Sequence, residues 1–294
     1  MLKKSILIER KSRVSCKNLQ LIIKNESREV SIPVEDIGFV VIDNPEVYIS
    51  IPALNLLIAN NAAVIICDAS HLPNGLFLNL NSHHIQQEVF KHQIAASVPL
   101  KKQLWQQTII EKIKNQGFLL EHITQQNNKL DFIASKVLSG DTTNMEGVAA
   151  SFYWKSFFNH DFKRERFGNY PNNFLNYGYA ILRAATARAL SGSGLLNTLG
   201  IHHKSKYNAF ALADDIMEPF RPLVDETVHF IMEHYDEQEL TTEIKSELLK
   251  ILTRTVYFKN EKSPLMVALQ KTASSLQQCY TGHRKKIKYP QLWN

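Results

Sequence analysis

The sequence predicts an α+β protein, with a small β-rich N-terminal domain over residues 1–84 and a larger all-α domain over residues 85–294. Three observations predict it. Short runs rich in β-branched residues, separated by polar positions, fill the first 80 residues. From about residue 85 apolar side chains instead recur three and four apart, the spacing of an amphipathic helix. Between the two regimes lies the polar break Asn81-Ser82-His83-His84, read as linker surface without chemistry. With 294 residues, 44% hydrophobic and 21% charged, the chain has ample material for a core and the balance of a globular protein.

In chain order, strands are expected over residues 5–8, 19–23, 29–32, 39–42 and 47–51. A brief helix over 53–58 follows, then a buried apolar strand over 63–67 and a last strand over 75–80. Helical periodicity covers residues 86–97, 100–116, 120–135, 144–158, 176–190, 224–234, 241–258 and 265–280. Breaks fall near residues 167–171 and in the glycine-rich stretch 191–200. A further short helix over 209–218 is expected, with Asn208 as its N-cap.

The net charge of +6 is unevenly placed. Residues 1–84 hold eight Lys/Arg and eight Asp/Glu, so the whole basic excess lies in the helical part and suggests a polyanionic partner. Cys16, Cys67 and Cys279 are far apart, which argues against a disulfide framework or a thiolate zinc site and fits a reducing cytoplasm. The N-terminus has no signal-peptide pattern and no apolar run is long enough to span a bilayer, so a cytoplasmic protein is expected.

The chemistry concentrates in Gly200-Ile201-His202-His203 and in the run from Asn208 to Pro222. On a helix, Asp215 and Glu218 stand three apart on one face, and Asp214 and Glu218 four apart. Like charges held so close repel unless a cation lies between them. An imidazole from His202 or His203 completes an oxygen-rich site with one nitrogen ligand. The alternative is a solvated acidic face beside a loop with two idle histidines. Further upstream, Thr143-Asn144-Met145-Glu146 matches a capping box, in which the Glu146 side chain serves its own helix. Otherwise Glu146 points across the bundle toward the histidine and Glu218.

Basic side chains lie beside aromatic ones in residues 155–167, where Lys155, Lys163, Arg164 and Arg166 are set among Phe157, Phe158, Phe162 and Phe167. That pattern suits phosphate contacts next to a stacking surface, or a solvated face over core aromatics. Arg183 and Arg188 lead into the glycine loop, and Arg221 follows Glu218. The densest basic run is His283-Arg284-Lys285-Lys286-Ile287-Lys288, either a soluble end or a grip on a nucleic-acid backbone.

Taken in order, Asn144-Met145-Glu146-Gly147, Asn176-Tyr177-Gly178-Tyr179, Gly200-Ile201-His202-His203 and Asp214–Pro222 resemble the CRISPR adaptation integrase family. This is the CRISPR-associated nuclease that inserts new spacers into a repeat array. The resemblance covers nearly the whole chain, and its compact length is similar to members from single-effector (type II) systems. It implies a β-rich domain that mediates homodimerisation and a helical catalytic domain. It also implies a Mg²⁺ or Mn²⁺ site built from Glu146, His203 and Glu218, with Asp215 supporting, His202 as the fallback ligand and Asp214 left as helix surface. Many relatives carry aspartate where this chain has Glu218. The implied reaction is attack of a DNA 3′-hydroxyl on a phosphodiester at a repeat end, with hydrolysis as its counterpart. The candidate DNA contacts are Lys163, Arg164, Arg166, Arg183, Arg188, Arg221, Arg284, Lys285, Lys286 and Lys288. The implied partners are double-stranded DNA and a small ferredoxin-like adaptation protein. A non-catalytic DNA-binding assembly protein is the competing expectation.

Overall fold

A computed structural model describes residues 3–126, 128–158, 162–165, 168–259 and 261–294. Among these residues the N-terminal part holds eight strands, a 3-10 turn over Val34–Asp36 and one α-helix: β1 (Lys4–Ile8), β2 (Ser12–Lys17), β3 (Gln20–Lys24), β4 (Glu29–Pro33), β5 (Ile37–Ile42), β6 (Val47–Ile49), α1 (Ile51–Ala59), β7 (Ala63–Cys67) and β8 (Pro73–Phe77). They form two four-stranded sheets, ordered β1-β5-β7-β8 and β4-β3-β2-β6. In the first, β1, β5 and β7 run parallel and β8 closes the edge antiparallel.

Every residue of β5 is buried, which is what a strand covered on both faces requires. Alternation then divides its side chains. Val40 and Ile42, with Val64 of β7, join Val14, Leu21 and Leu57 in the core of the N-terminal part. Phe39 and Val41, with Ala63 and Ile65, belong to the core of the helical part. One sheet therefore serves both cores.

The helical part comprises α2 (Gln86–Ala95), α3 (Val98–Thr124), α4 (Leu130–Ser135), α5 (Met145–Phe157), α6 (Asn172–Gly192), α7 (Ala211–Met217), α8 (Arg221–His234), α9 (Thr242–Leu249) and α10 (Leu265–Tyr280). The hairpin β9 (Thr255–Phe258) and β10 (Glu261–Pro264) interrupts it before α10. Three expectations are corrected here. Residues 100–124 form a single helix, because Gly117 is a place of close approach and not a break. A Cβ there would lie 3.1 Å from Leu130 Cβ, where α4 packs. The helical pattern over 241–258 ends at residue 249, and its β-branched and aromatic end Thr255-Val256-Tyr257-Phe258 pairs as a strand. Asn208 does not cap α7. Its side chain accepts from the Phe210 N–H in a local turn, and Phe210 itself is the N-cap.

Two buried cations join the parts. Lys245 of α9 reaches Asp43 at 2.6 Å and Glu9 at 3.1 Å, both in the N-terminal part. Arg188 of α6 donates to the Asn61 carbonyl at 2.5 Å, lies over the Phe39 ring, and is buried. Its assignment as a DNA contact is therefore corrected: the guanidinium is spent inside the protein, tying α6 to the loop before β7.

Candidate active site

Four segments converge. On α3, Trp105, Thr108 and Lys112 fall on one side at three- and four-residue spacing, all of them buried. The start of α5 supplies Glu146. The loop after α6 supplies His202 and His203, and the end of α7 supplies Asp215 and Glu218.

The start of α5 is capped without Glu146. The Asn144 side chain accepts from the Gly147 N–H at 3.2 Å. Asp141 accepts from the Met145 N–H at 2.8 Å and the Glu146 N–H at 3.0 Å. With those amides satisfied, the Glu146 carboxylate is released to meet Lys112 Nζ at 2.6 Å. The capping-box expectation is corrected accordingly: Asn144 and Asp141, not Thr143 and Glu146, hold this helix end.

The histidine loop is folded around Asp215. Its fully buried carboxylate accepts from the backbone N–H groups of Ile201 at 2.6 Å, His202 at 2.9 Å and His203 at 3.3 Å. It also bonds His203 Nδ1 at 2.5 Å. Gly200 makes the wrap possible, since a Cβ there would lie 2.6 Å from the His203 carbonyl oxygen and 2.8 Å from Asp215 Oδ2. With Nδ1 engaged, His203 presents Nε2 as its free ligand atom. The Asp215 hydrogen bond raises the His203 pKa above its ordinary value, against the opposing effect of burial. His202 is held differently: its ring lies parallel to the Trp105 indole, with centroids 4.2 Å apart.

Glu218 is 3% exposed and sits in a short 3-10 turn, Glu218–Phe220, whose Pro219 carbonyl accepts from Asn115 Nδ2 at 2.7 Å. Glu218 Oε1 pairs with Arg221 Nη2 at 2.9 Å and Oε2 with Lys112 Nζ at 2.6 Å. Burial pushes the Glu218 carboxyl up, but Arg221 and Lys112 outweigh it and hold its pKa below the usual range. Oε2 is therefore a buried carboxylate oxygen held by the Lys112 ammonium.

Glu146 and Glu218 are thus brought to one cation, the Lys112 ammonium, and His203, oriented by Asp215, lies within electrostatic reach of Glu218. Among the described residues, no three His, Cys, Asp or Glu side chains are grouped closely enough to hold a metal ion as they stand. The donor set nevertheless fits one. Two carboxylates from different elements already converge on a single positive charge, and oxygen donors with one imidazole suit Mg²⁺ or Mn²⁺.

Beside this point opens a cleft of about 710 Å³ lined by Arg164, Tyr179, Arg183, Asn208, Tyr207 and Arg221. Arg221 and Arg164 both lie over the Tyr179 ring, at 4.7 and 5.2 Å from its centroid. Arg183 Nε donates to Asp214 at 2.5 Å, and Asn208 Nδ2 donates to the other Asp214 oxygen at 2.8 Å. Asp214 is buried, so its expected place on the helix surface is corrected; it orders the arginine wall of the cleft. Lys163, Arg284, Lys285, Lys286 and Lys288 are exposed, whereas Arg166 lies outside the described residues. The basic run at 284–288 lies along α3 and α10, fixed by Gln107 to the Ile287 N–H and by Ser275 to the Lys288 N–H.

Two groups behind the site escaped the sequence reading. Lys112 is one; a lysine among Leu104, Thr108, Ile109 and Ile113 on a core-facing stripe was the only sign of it. Asp225 is the other, buried and accepting from the Tyr153 hydroxyl at 2.9 Å and from the Tyr179 hydroxyl. Burial raises the Asp225 carboxyl from 3.8 to about 6, the tyrosine hydrogen bonds opposing it. An acid with a raised folded pKa holds its proton longer in the folded chain, so stability falls as pH rises through that window. Thermal melts of wild type and Asp225→Asn should therefore diverge, the wild type losing up to about 3 kcal/mol relative to the variant between roughly pH 4 and 6. Parallel melting curves across that range would refute the assignment.

A family model for "CRISPR associated protein Cas1" matches residues 6–257. The chain is 38% identical over 293 residues to a CRISPR-associated endonuclease Cas1 of Neisseria meningitidis serogroup C (strain 8013), covering 98% of this chain and 96% of that one. Among solved structures it resembles a casposase bound to integration product, with TM-score 0.79 at 21% identity over 97% of this chain and 92% of that one. It also resembles a chain of a Cas6-RT-Cas1–Cas2 complex, with TM-score 0.76 at 21% identity, covering 99% of this chain and 36% of that one.

Proposed function

The chain belongs to the Cas1 family of CRISPR-associated proteins, and from that premise we propose that it is a metal-dependent DNA integrase and endonuclease. Its reaction inserts short DNA fragments as new spacers into a CRISPR array. The observation that carries this reading is the convergence of Glu146 and Glu218 on one cation, beside an Asp215-oriented His203 and an arginine-lined cleft.

Glu146 and Glu218 would supply oxygen ligands and His203 Nε2 the nitrogen. A bound Mg²⁺ or Mn²⁺ would polarise the scissile phosphate and stabilise charge developing on its oxygens. The protein's own part is positional. Asp215 fixes the tautomer and direction of His203, and Asn115 holds the turn that carries Glu218. Arg221 and Arg183 offer guanidinium groups to backbone phosphates entering the cleft, while Arg164, whose Nη1 and Nη2 donate to Asn172 and Asn176, stiffens its wall. In strand transfer the incoming 3′-hydroxyl would give up its proton as its oxygen bonds to phosphorus, while the repeat's own 3′-oxygen leaves and takes up a proton. Bonds made and broken balance, so no covalent protein intermediate is needed.

The exposed Lys285, Lys286 and Lys288 extend the positive surface, and binding that depends on such contacts weakens as salt rises. We further propose homodimerisation through the β-rich part, a small ferredoxin-like adaptation partner, and action in the cytoplasm. The likeness to a Cas1–Cas2 assembly supports a Cas partner. The test is a divalent-ion titration of strand transfer by the purified chain on a repeat-bearing plasmid. Ion-dependent joined product, lost in Glu146→Gln, is expected. Binding without product at any ion concentration would favour a non-catalytic assembly protein instead.

A further inference from the structure

The ammonium of Lys112 occupies the one position that both carboxylates face. It lies 2.6 Å from Glu146 Oε1 and 2.6 Å from Glu218 Oε2, and the residue is 8% exposed. The two carboxylates come from different elements, α5 and the turn after α7. Without a cation between them their charges would repel across a space that water enters poorly. Lys112 supplies that cation from a third element, α3, which also positions Trp105 against the histidine loop.

Resting on the metal-site reading above, we propose that Lys112 is a resident counter-cation of this site, which a divalent ion must displace to bind. Three features support an exchange over a permanent ion pair. The two carboxylates that would hold a divalent ion are the two the ammonium now contacts, so the two cations compete for them. Glu218 Oε1 is held by Arg221 and Oε2 by Lys112, so Oε2 is the oxygen for which an incoming ion competes with the lysine alone. Finally, a lysine carries its charge at the end of a flexible four-carbon stem and can withdraw, where an arginine fork held by two carboxylates would not. The ion-free protein thereby keeps its ligands paired and in register, and the apparent affinity for the ion is the intrinsic affinity less the cost of moving Lys112.

The test is Mn²⁺ binding to the full chain, followed by electron paramagnetic resonance of free Mn²⁺, for wild type, Lys112→Met and Glu218→Gln. Removing the competing charge should tighten Mn²⁺ binding by about tenfold. The ion-free Lys112→Met protein should melt below wild type and recover more on adding Mn²⁺. Binding by a folded Lys112→Met that is equal to or weaker than wild type overturns the proposal. Should that variant not fold, acylation of Lys112 in the unmodified protein, mapped by mass spectrometry, decides the matter. A severalfold rise on adding Mn²⁺ supports displacement, and unchanged labelling overturns it. Glu218→Gln separates the two layers. Mn²⁺ binding that survives there removes the metal site and the proposal together. Binding lost there, without tightening in Lys112→Met, leaves the metal site standing and overturns the role of Lys112 alone.

Discussion

Glu218→Gln should lower the strand-transfer rate by about three orders of magnitude, equivalent to roughly 4 kcal/mol of transition-state stabilisation. The substitution keeps the shape of the side chain and one acceptor oxygen, so the fold should persist while the negative charge is lost. Glu218→Ala is the poorer probe. Glu218 lies buried between Lys112 and Arg221. Truncation leaves both cations short of a partner, and breaking such buried pairs costs about 3–5 kcal/mol. Glu146 is more exposed and meets Lys112 alone, so Glu146→Ala should cost much less stability for a similar loss of rate. Melting curves and joined product measured on the same preparations check both statements. Wild-type strand transfer by Glu218→Gln would remove that carboxylate from the site.

The division into a β-rich part and a helical part was legible because the local patterns agree with the tertiary environment. Ala63–Cys67 is a five-residue apolar run that stops at Asp68, and it forms β7 over those residues. Leu265–Tyr280 keeps helical spacing throughout and forms α10 to the residue. Strand β2, Ser12–Lys17, was not legible: only Val14 within it is both strongly apolar and buried, and its ladder comes from β3 and β6 on either side. The hairpin β9–β10 was missed because Thr255–Phe258 continues a helical spacing until the chain reverses.

At the site, short-range spacing could group Asp214, Asp215 and Glu218, but it could not rank them. Their roles come from partners far off in sequence. Asp214 turns to Arg183 on α6, Asp215 to the backbone of the histidine loop, and Glu218 to Lys112 on α3. Spacing also left His202 and His203 open. A stacked Trp105 for one and a carboxylate on Nδ1 for the other now distinguish them. Charge alone misplaced Arg188, because burial over Phe39 leaves no trace in a count of basic residues.

The same long-range logic makes Asp215 the residue whose loss should be felt as strongly as that of a ligand. Asp215→Ala leaves three backbone N–H groups and one ring nitrogen without their acceptor in a buried pocket, each worth about 1–3 kcal/mol when unsatisfied. Loop and ligand should then disorder together. Asp215→Asn is the sharper experiment, since it keeps the volume and one acceptor while removing the charge. In the wild type Asp215 raises the pKa of His203. The protonated imidazole therefore stabilises the folded chain fully below the unfolded pKa, and that contribution disappears as pH rises through the folded value. Ligation needs the neutral ring, so the wild-type strand-transfer rate should climb with pH through that same raised pKa. Without the carboxylate charge the imidazolium loses its partner, and the acidic limb of the rate profile should move to lower pH even as the plateau falls. Melts of the variant should correspondingly lose the extra stability that wild type shows at low pH. An Asp215→Asn protein with both the wild-type rate and an unmoved acidic limb would show that His203 is not oriented for ligation by this carboxylate.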